Sequence, residues 1–384
     1  MDAGLYIHIP FCIKKCPYCD FYSTTDTSMQ SAFMDALFNE MHLRRSETLA
    51  FDTIYIGGGT PSLLDATSLD RIIENAHQSY QILAKPEITL EVNPGTVTLE
   101  QLKGYKRAGV NRINIGVQSF DPAGLCFLER THSVNDADRT IKWSHKTGFE
   151  KIGLDLIYGI PGQTKQSWLS DLRQAVAFEP QHISCYMLTY ETGTPLKKNR
   201  QKGRFSPLPD DMTCELYEAT ITFLSNCGYA QYEISNFAHA GSGKIKTLDP
   251  EHNQSKHNQK YWSFVPYIGL GPSAHSFIEP QRFWNDSDLE KYIEDLATNR
   301  LPLEGKETLN QEQQIMEAIY LGLRQTKGIS VDFFDQKFCQ SFKVMFEDVI
   351  KDLEEKGLVK FSQNSCALTL KGMLLLDSVV AAFI

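Results

Sequence analysis

The chain has 384 residues, of which 42% are hydrophobic and 22% are charged, and its net charge is −9. These values are typical of a globular protein with one large domain and a smaller one. An acidic chain without a run of basic residues is not expected to bind nucleic acid. The sequence contains no evident signal peptide and no apolar stretch of membrane-spanning length, so we expect a cytoplasmic protein.

The first half of the chain alternates short β-branched runs with polar or amphipathic stretches of helix length. Six strands are predicted, over residues 6–9, 53–56, 88–92, 112–117, 152–157 and 182–188. Helices are predicted between them, over residues 29–45, 68–80, 99–108 and 166–178. Six successive βα units indicate an α/β fold with a parallel sheet covered by helices. An open sheet and an incomplete barrel both fit this periodicity.

Polar and glycine-rich sequences stand at the ends of these six strands. In chain order they are CIKKCPYC, GGGTP, EVNPG, GVQSF, DLIYGIPGQT and MLTYETGTP. Ligands of parallel α/β folds bind at the carboxyl ends of the strands. The sequence therefore predicts one shared binding site at these ends.

Three cysteines, Cys12, Cys16 and Cys19, follow the first strand with the spacing CxxxCxxC. Thiolates on one short loop can bind three irons of a 4Fe–4S cubane and leave the fourth iron open. A structural zinc ion would use four ligands. The next cysteine, Cys126, lies over a hundred residues away. The spacing thus favours an iron–sulfur cluster.

With Tyr18 inside this loop and GGGTP downstream, the sequence resembles the radical S-adenosylmethionine (SAM) superfamily. The resemblance implies an incomplete (β/α)6 barrel, in which SAM binds the open iron and the cofactor carries the hard chemistry. No catalytic side chain is assigned. By the same resemblance, the residues that contact SAM are Tyr6, Tyr18, Gly58, Gly59, Thr60, Glu91, Gln118, Arg130 and Asp155. Their chemistry suits this role, because an arginine can pair with a carboxylate and carboxylates accept from ammonium or hydroxyl groups.

Within that superfamily, the motifs YIHIPFC, GVQSF, DLIYGIPGQT and YIGLGPSAH resemble the coproporphyrinogen dehydrogenase-like branch. The branch contains an oxygen-independent coproporphyrinogen III dehydrogenase and a group of haem chaperones. Phe21 stands where the dehydrogenase has an additional cysteine, and Cys12 comes without the dehydrogenase's N-terminal extension. Both features favour a haem chaperone, and the dehydrogenase stays the alternative.

The sequence HNQKYW, residues 257–262, matches an HNxxYW pattern of the haem chaperones. The resemblance implies that His257 ligates haem, since histidine is a common axial ligand of haem iron. On the residues alone, a turn with two packed aromatic side chains is an equal interpretation. The link over residues 239–256 is longer than is usual in the family. This leaves other histidines open as ligands or as neighbours of the site, namely His239, His252 and His275.

We predict three domains. Residues 1–240 form the barrel with its 4Fe–4S cluster, residues 241–304 a polar loop with the HNxxYW motif and a glycine-rich connector, and residues 305–384 a helical, winged-helix-like domain. The expected partners are haem and acceptor haemoproteins such as respiratory enzymes. Homodimer formation and peripheral membrane association stay open.

Overall fold

The computed structural model describes residues 2–240 and 251–383, and its largest feature is an open sheet of twelve strands. Six parallel strands in chain order form the middle of this sheet. They are β1 Ala3–Ile9, β2 Ser46–Gly58, β3 Tyr80–Val92, β4 Arg112–Gln118, β5 Lys151–Tyr158 and β6 His182–Met187. All six predicted strands are present, although β2 and β3 begin earlier than the sequence indicated.

Helices cross between these strands, and polar caps fix where several of them begin. Capping boxes start three helices at Thr98, Ser133 and Thr164, where each side chain accepts from the backbone three residues later. The helices before and around the sheet are α1 Gln30–Leu43, α2 Ala66–Ser79, α3 Leu99–Arg107, α4 Pro122–Phe127, α5 Val134–Thr147, α6 Lys165–Ala177, α7 Pro195–Gln201, α8 Asp210–Asn226, α9 Lys256–Trp262 and α10 Leu289–Ala297, with a 3-10 turn at Pro61–Leu63. The predicted α/β class is confirmed.

Alternation along the strands gives the sheet an apolar outer face and a polar inner face. In β1, Leu5, Ile7 and Ile9 are fully buried in the core beneath the helices. Burial of each such side chain contributes about 1.5–3 kcal/mol to stability. The intervening positions of the six strands carry polar groups, including His8, Thr89, Glu91, Asn114, Asp155 and Ser184. A polar inner face indicates that the incomplete barrel holds a ligand there.

Six further strands extend the sheet on both sides. Beyond β6 lie β8 Asn236–His239 and β7 Tyr229–Gln231, and beside β1 lie β9 Tyr267–Leu270, β10 His275–Ile278, β11 Gln281–Asn285 and β12 Leu303–Thr308. Only β9 is parallel to its neighbour in the middle of the sheet. The segment that we described from sequence as a glycine-rich connector thus contains strands. These strands were not predicted because the runs between glycine and proline are too short to show a clear alternation of apolar and polar residues.

The C-terminal part has its own hydrophobic core, formed by residues 315–383. A three-stranded antiparallel sheet of β13 Ile329–Ser330, β15 Ser365–Leu368 and β14 Val359–Phe361 packs there. Its helices are α11 Gln311–Arg324, α12 Val331–Phe338, α13 Phe342–Met345, α14 Glu347–Glu355, α15 Leu370–Leu374 and α16 Leu376–Ala381. This arrangement agrees with the helical C-terminal part predicted from sequence. Within the described part of the chain, no helix is long and apolar enough to cross a membrane.

Helix α9 and the residues before it close the barrel at the amino ends of the strands. The Nη1 of Arg112, a fully buried residue of β4, donates to the carbonyl oxygens of Asn253 and Gln254 at 3.1 and 3.2 Å. The backbone N–H of Lys256 donates to Oε1 of Glu87 in β3 at 2.8 Å. The HNQKYW sequence therefore lies at the end of the barrel opposite to the cysteine loop.

Candidate functional site

The glycine run after β2 packs directly against the cysteine loop. Gly59 donates its N–H to the carbonyl oxygen of Ile9 at 2.8 Å, and Thr60 donates to that of Phe11 at 2.7 Å. A Cβ on Gly59 would lie 2.7 Å from the Phe11 oxygen and 3.0 Å from Sγ of Cys12. Glycine is needed here because any side chain would push the two loops apart.

Cys12, Cys16 and Cys19 line one small cavity together with Gly59 and Thr60. Burial raises the pKa of the Cys19 thiol. Across residues 2–240 and 251–383, no three His, Cys, Asp or Glu side chains converge on a single metal ion. A cubane takes one thiolate for each iron, so its ligands stand apart around a cavity. The three cysteines fit a 4Fe–4S cluster in this respect.

Arg130 lies between the cysteine loop and the sheet. Its Nη1 is 3.5 Å from Sγ of Cys16 and donates to the Tyr18 hydroxyl at 3.3 Å, while Nη2 donates to Oδ1 of Asn93 at 2.7 Å and to the Gly116 carbonyl at 3.1 Å. Its Nε is buried and has no hydrogen-bond partner among the described residues. A buried N–H without a partner costs stability. A ligand carboxylate, such as that of SAM, would satisfy it.

Glu91 is oriented by two donors from β2. The Tyr55 hydroxyl donates to Oε1 at 2.8 Å, and the Gly58 N–H donates to Oε2 at 3.2 Å. Gly58 has a φ of +112°, a conformation that favours glycine. Burial raises the pKa of Glu91 to about 7, and the nearby Asp155 charge adds to the rise while the two hydrogen bonds oppose it. A ligand ammonium group would favour the ionised form.

A cavity of about 1110 Å³ opens at the carboxyl ends of the strands. Within it, Oδ1 of Asp155 is buried and has no hydrogen-bond partner among the described residues. Burial raises the pKa of Asp155 to about 6. An unpartnered carboxylate oxygen suits a ligand hydroxyl group, such as those of a ribose. The cavity brings together most of the predicted SAM residues, namely Tyr18, Gly58, Gly59, Glu91, Gln118, Arg130 and Asp155.

Tyr6 is the one predicted SAM residue that, among the described residues, lines neither cavity. Its hydroxyl donates to Nδ1 of His8 at 3.0 Å, because Nε2 of His8 donates to the Tyr22 carbonyl at 2.9 Å. Burial lowers the pKa of His8 to about 4, so the ring is neutral. His8 thus joins β1 to the end of the cysteine loop. The contact of Tyr6 with SAM stays a prediction.

His257 lies beside Thr53, which precedes the glycine run of β2 by four to six residues. Its Nδ1 is hydrogen-bonded to the Thr53 hydroxyl and its Nε2 to the Tyr261 hydroxyl, both at 2.9 Å. The residue is 1% exposed, and burial lowers its pKa to about 3. Both ring nitrogens are already hydrogen-bonded, so ligation of haem iron would require these bonds to break and α9 to move. Ligation by His257 stays a prediction.

The other histidines considered from sequence are spread over the molecule. His239 ends β8, with its ring 5.0 Å from that of Tyr229. His275 stacks on Trp284 at 5.7 Å, and neither lines the cavity among the described residues. His252 is exposed, and the longer link over residues 239–256 lies partly outside the described residues.

Two residues of the site were not predicted. Tyr55 donates to Glu91, and Asn93 joins Arg130 to Thr60 by accepting from the first and donating to the second at 2.9 Å. Tyr55 could have been found from its place in β2, because it points to the inner face of the sheet four residues before Gly59. The signal for Asn93 was its place in EVNPG, directly after β3.

Comparison with known proteins identifies the class to which this fold and site belong. The model of the radical SAM superfamily matches residues 6–175, and that of the HemN C-terminal domain matches residues 309–375. The fold is similar to that of coproporphyrinogen III oxidase (HemN) from Escherichia coli, with a TM-score of 0.84, 22% identity, and coverage of 100% of this chain and 90% of that chain. The chain is a radical SAM protein with the HemN fold, as its resemblance implied.

Sequence relatives narrow this class. Heme chaperone HemW from Bacillus subtilis is 36% identical over 390 residues, which cover 99% of this chain and 98% of the relative. Heme chaperone HemW from Escherichia coli is 38% identical over 280 residues, with 72% and 70% covered. The chain belongs to the HemW family. Membership in a radical SAM family implies a 4Fe–4S cluster and SAM as cofactors.

Proposed function

We propose that this protein is a haem chaperone, which binds haem and transfers it to acceptor haemoproteins. The observation that carries the proposal is the similarity to HemW proteins along nearly the whole chain, at 36% identity. This similarity spans both the barrel and the C-terminal part. Phe21 adds support, because the dehydrogenase of the branch has a further cysteine at this position of the cysteine loop. The Phe21 side chain is 67% exposed.

We assign the 4Fe–4S cluster to Cys12, Cys16 and Cys19, which is supported by their shared cavity. A cluster with SAM at its open iron supplies one-electron chemistry. Arg130 would neutralise the carboxylate of SAM, and its unpartnered Nε supports this role. The remaining residues assigned to SAM are Tyr6, Tyr18, Gly58, Gly59, Thr60, Glu91, Gln118 and Asp155.

Glu91 would accept hydrogen bonds from the ammonium group of SAM, and the Tyr55 hydroxyl would hold the Glu91 carboxylate in position. Asp155 would accept from the ribose hydroxyls, since its buried Oδ1 has no partner among the described residues. Arg130 and Glu91 together match the carboxylate and ammonium charges of the zwitterionic amino-acid part of SAM.

We further propose that the acceptors include respiratory haemoproteins and that the protein acts in the cytoplasm. Homodimer formation and peripheral attachment to membranes belong to the same proposal. Light scattering during gel filtration tests the dimer, and flotation with liposomes tests membrane attachment.

The proposal is tested by anaerobic reconstitution with iron and sulfide, followed by titration with SAM and with ferric haem. The wild type should take up a cluster, SAM and about one haem per chain. Cys16→Ser should lose the cluster and still bind haem, because the cargo is not held by the cluster. A reconstituted wild type that binds no haem contradicts the proposed function.

A further inference from the structure

The large cavity extends beyond the residues assigned to SAM. Its outer half is lined by residues 186–188 at the end of β6 and by residues 373–378, which span the end of α15 and the start of α16 in the C-terminal part. Pockets that hold one small ligand have volumes of roughly 300–1,000 Å³. The volume of about 1110 Å³ therefore leaves room for a second ligand beside SAM.

The walls of this outer half combine apolar side chains that are partly open to solvent with the polar side chains of Asp377 and Ser378. Tyr186, Met187 and Leu375 line it and are 38%, 48% and 44% exposed, respectively. Contiguous exposed apolar side chains around a cavity mark a binding surface. Aromatic rings and the adaptable methionine thioether suit a flat ligand with apolar faces.

Arg324 also lines this cavity and supplies a cation there. Its Nε donates to Oε2 of Glu233 at 2.9 Å, and its two terminal nitrogens make no hydrogen bond to a described residue. The guanidinium lies over the ring of Trp262, 5.9 Å from the centroid. A guanidinium fixed through one nitrogen can pair with a ligand carboxylate through the others.

Trp262 is the last residue of the HNQKYW motif, so the motif contacts Arg324, which lines the cavity. Gln325, the residue after Arg324, donates its side-chain Nε2 to the Trp262 carbonyl at 2.9 Å. The motif therefore reaches the C-terminal wall of the cavity through Trp262. His257, at the other end of α9, is buried and bonded through both ring nitrogens.

We propose that haem, the cargo of the proposed function, binds in the outer half of the cavity beside SAM. Its apolar faces contact Tyr186, Met187 and Leu375, and a propionate pairs with Arg324. In place of the ligation by His257 that the sequence led us to expect, the HNQKYW motif positions Arg324 through Trp262. This proposal rests on haem binding by the chain and adds where the haem lies.

The test is absorption titration of the reconstituted full chain with ferric haem, with SAM affinity measured in parallel. Met187→Glu and Leu375→Glu place a carboxylate in the apolar wall at partly exposed positions, where folding tolerates it. Met345→Glu is the matched control, because Met345 is 41% exposed and, among the described residues, does not line either cavity. His257→Gln tests ligation, since glutamine keeps hydrogen-bonding capacity.

We expect Met187→Glu and Leu375→Glu to weaken haem binding by about tenfold or more, since a buried carboxylate near an anionic apolar ligand is costly. SAM affinity, and haem binding by Met345→Glu, should be unchanged. His257→Gln should keep the wild-type haem spectrum. Wild-type haem affinity in both cavity variants, or loss of the haem spectrum in folded His257→Gln, would overturn the proposed location. Absence of haem binding in the wild type would instead reject the proposed function itself.

Discussion

Arg130 and Asn93 are joined by a hydrogen bond of 2.7 Å from Nη2 of the arginine to Oδ1 of the asparagine. The same amide donates its Nδ2 to the Thr60 hydroxyl. One neutral side chain after β3 thus fixes both the cation assigned to the SAM carboxylate and the residue that follows the glycine run. This makes Asn93 a positioning residue of the site.

Asn93→Ala should therefore weaken SAM binding while the cluster is retained. Loss of a buried hydrogen-bond partner costs about 1–3 kcal/mol, which corresponds to roughly fivefold to somewhat over a hundredfold in affinity. Calorimetric titration of reconstituted protein measures this, with iron content as a check. Asn75→Ala is the control, because among the described residues that amide bonds only to the Arg71 carbonyl on the surface of α2. Equal SAM affinities in both variants would contradict the role of Asn93.

Gly59→Ala should prevent stable cluster uptake. The added Cβ would lie 2.7 Å from the Phe11 carbonyl oxygen and 3.0 Å from Sγ of Cys12, so the cysteine loop must move. Gly162→Ala is the control, since its Cβ meets nothing within 4 Å, and its φ of +83° places the added side chain in the less favourable left-handed region. Iron and sulfide analysis after reconstitution should show a large loss for Gly59→Ala only. A full complement of iron in Gly59→Ala would show that the loop tolerates the displacement.

SAM binding should strengthen as the pH rises through about 7, because burial raises the pKa of Glu91 to about that value. A ligand ammonium binds the ionised carboxylate, which is a minor form at pH 6 and the major form at pH 8. We expect an affinity about tenfold higher at pH 8 than at pH 6. Glu91→Gln should bind SAM weakly with little of this pH dependence, whereas the exposed Glu100→Gln should behave like wild type. A flat profile in the wild type would contradict the assignment.

The raised pKa of Glu91 also affects the stability of the fold, but here a rise in pH is unfavourable. A carboxyl whose pKa is raised in the folded state binds its proton more tightly there than in the unfolded chain. Its contribution therefore grows less favourable as the pH rises from about 4.5 to about 7. Without ligand, Glu91→Gln should be more stable than wild type at pH 8, by ~1 kcal/mol, and this advantage should vanish near pH 4.5. Urea unfolding at the two pH values measures it, and an advantage that grows towards acid pH would be inconsistent with this assignment.

His257→Gln should destabilise the protein most at neutral pH. The ring fills a buried site and bonds to Thr53 and Tyr261, so its replacement should cost about 2 kcal/mol at pH 7.5. Burial lowers the pKa of His257 to about 3, so the wild type loses stability as the pH falls below 6.5, where the unfolded chain gains the proton. The gap between variant and wild type should therefore narrow at pH 5. His145→Gln, an exposed residue of α5, should show no gap at either pH, and a gap for His257→Gln that widens in acid would contradict the argument.

The main features of the fold could be predicted from sequence because strand-forming and helix-forming segments alternate regularly along the first half of the chain. Alternating apolar runs located all six central strands, and the glycine and polar residues after them located the site. The cysteine spacing needed no tertiary information, since Cys12, Cys16 and Cys19 lie on one loop. Patterns of this kind can be recognised from sequence because residues that are close along the chain are also close in the folded protein.

The remainder depends on contacts between distant segments. His257 could equally have faced a ligand or a core, and only the packing of α9 against Thr53, 204 positions away in sequence, decides its surroundings. The strands β9 to β12 have only four to six residues each, β9 and β12 contain a glycine, and Pro280 separates β10 from β11, so their periodicity is weak. Asn93 became visible as a positioning residue only once β3 and the loop carrying Arg130 were side by side.

The most direct test of the central claim is transfer of haem from the loaded protein to an apo-haemoprotein, followed by the spectrum of the acceptor. Coproporphyrinogen III with SAM and a reductant is supplied in a parallel reaction. We predict that the acceptor gains haem and that no protoporphyrinogen forms. Conversion of coproporphyrinogen III to protoporphyrinogen IX, with no transfer of haem, would contradict the chaperone function and establish the dehydrogenase instead.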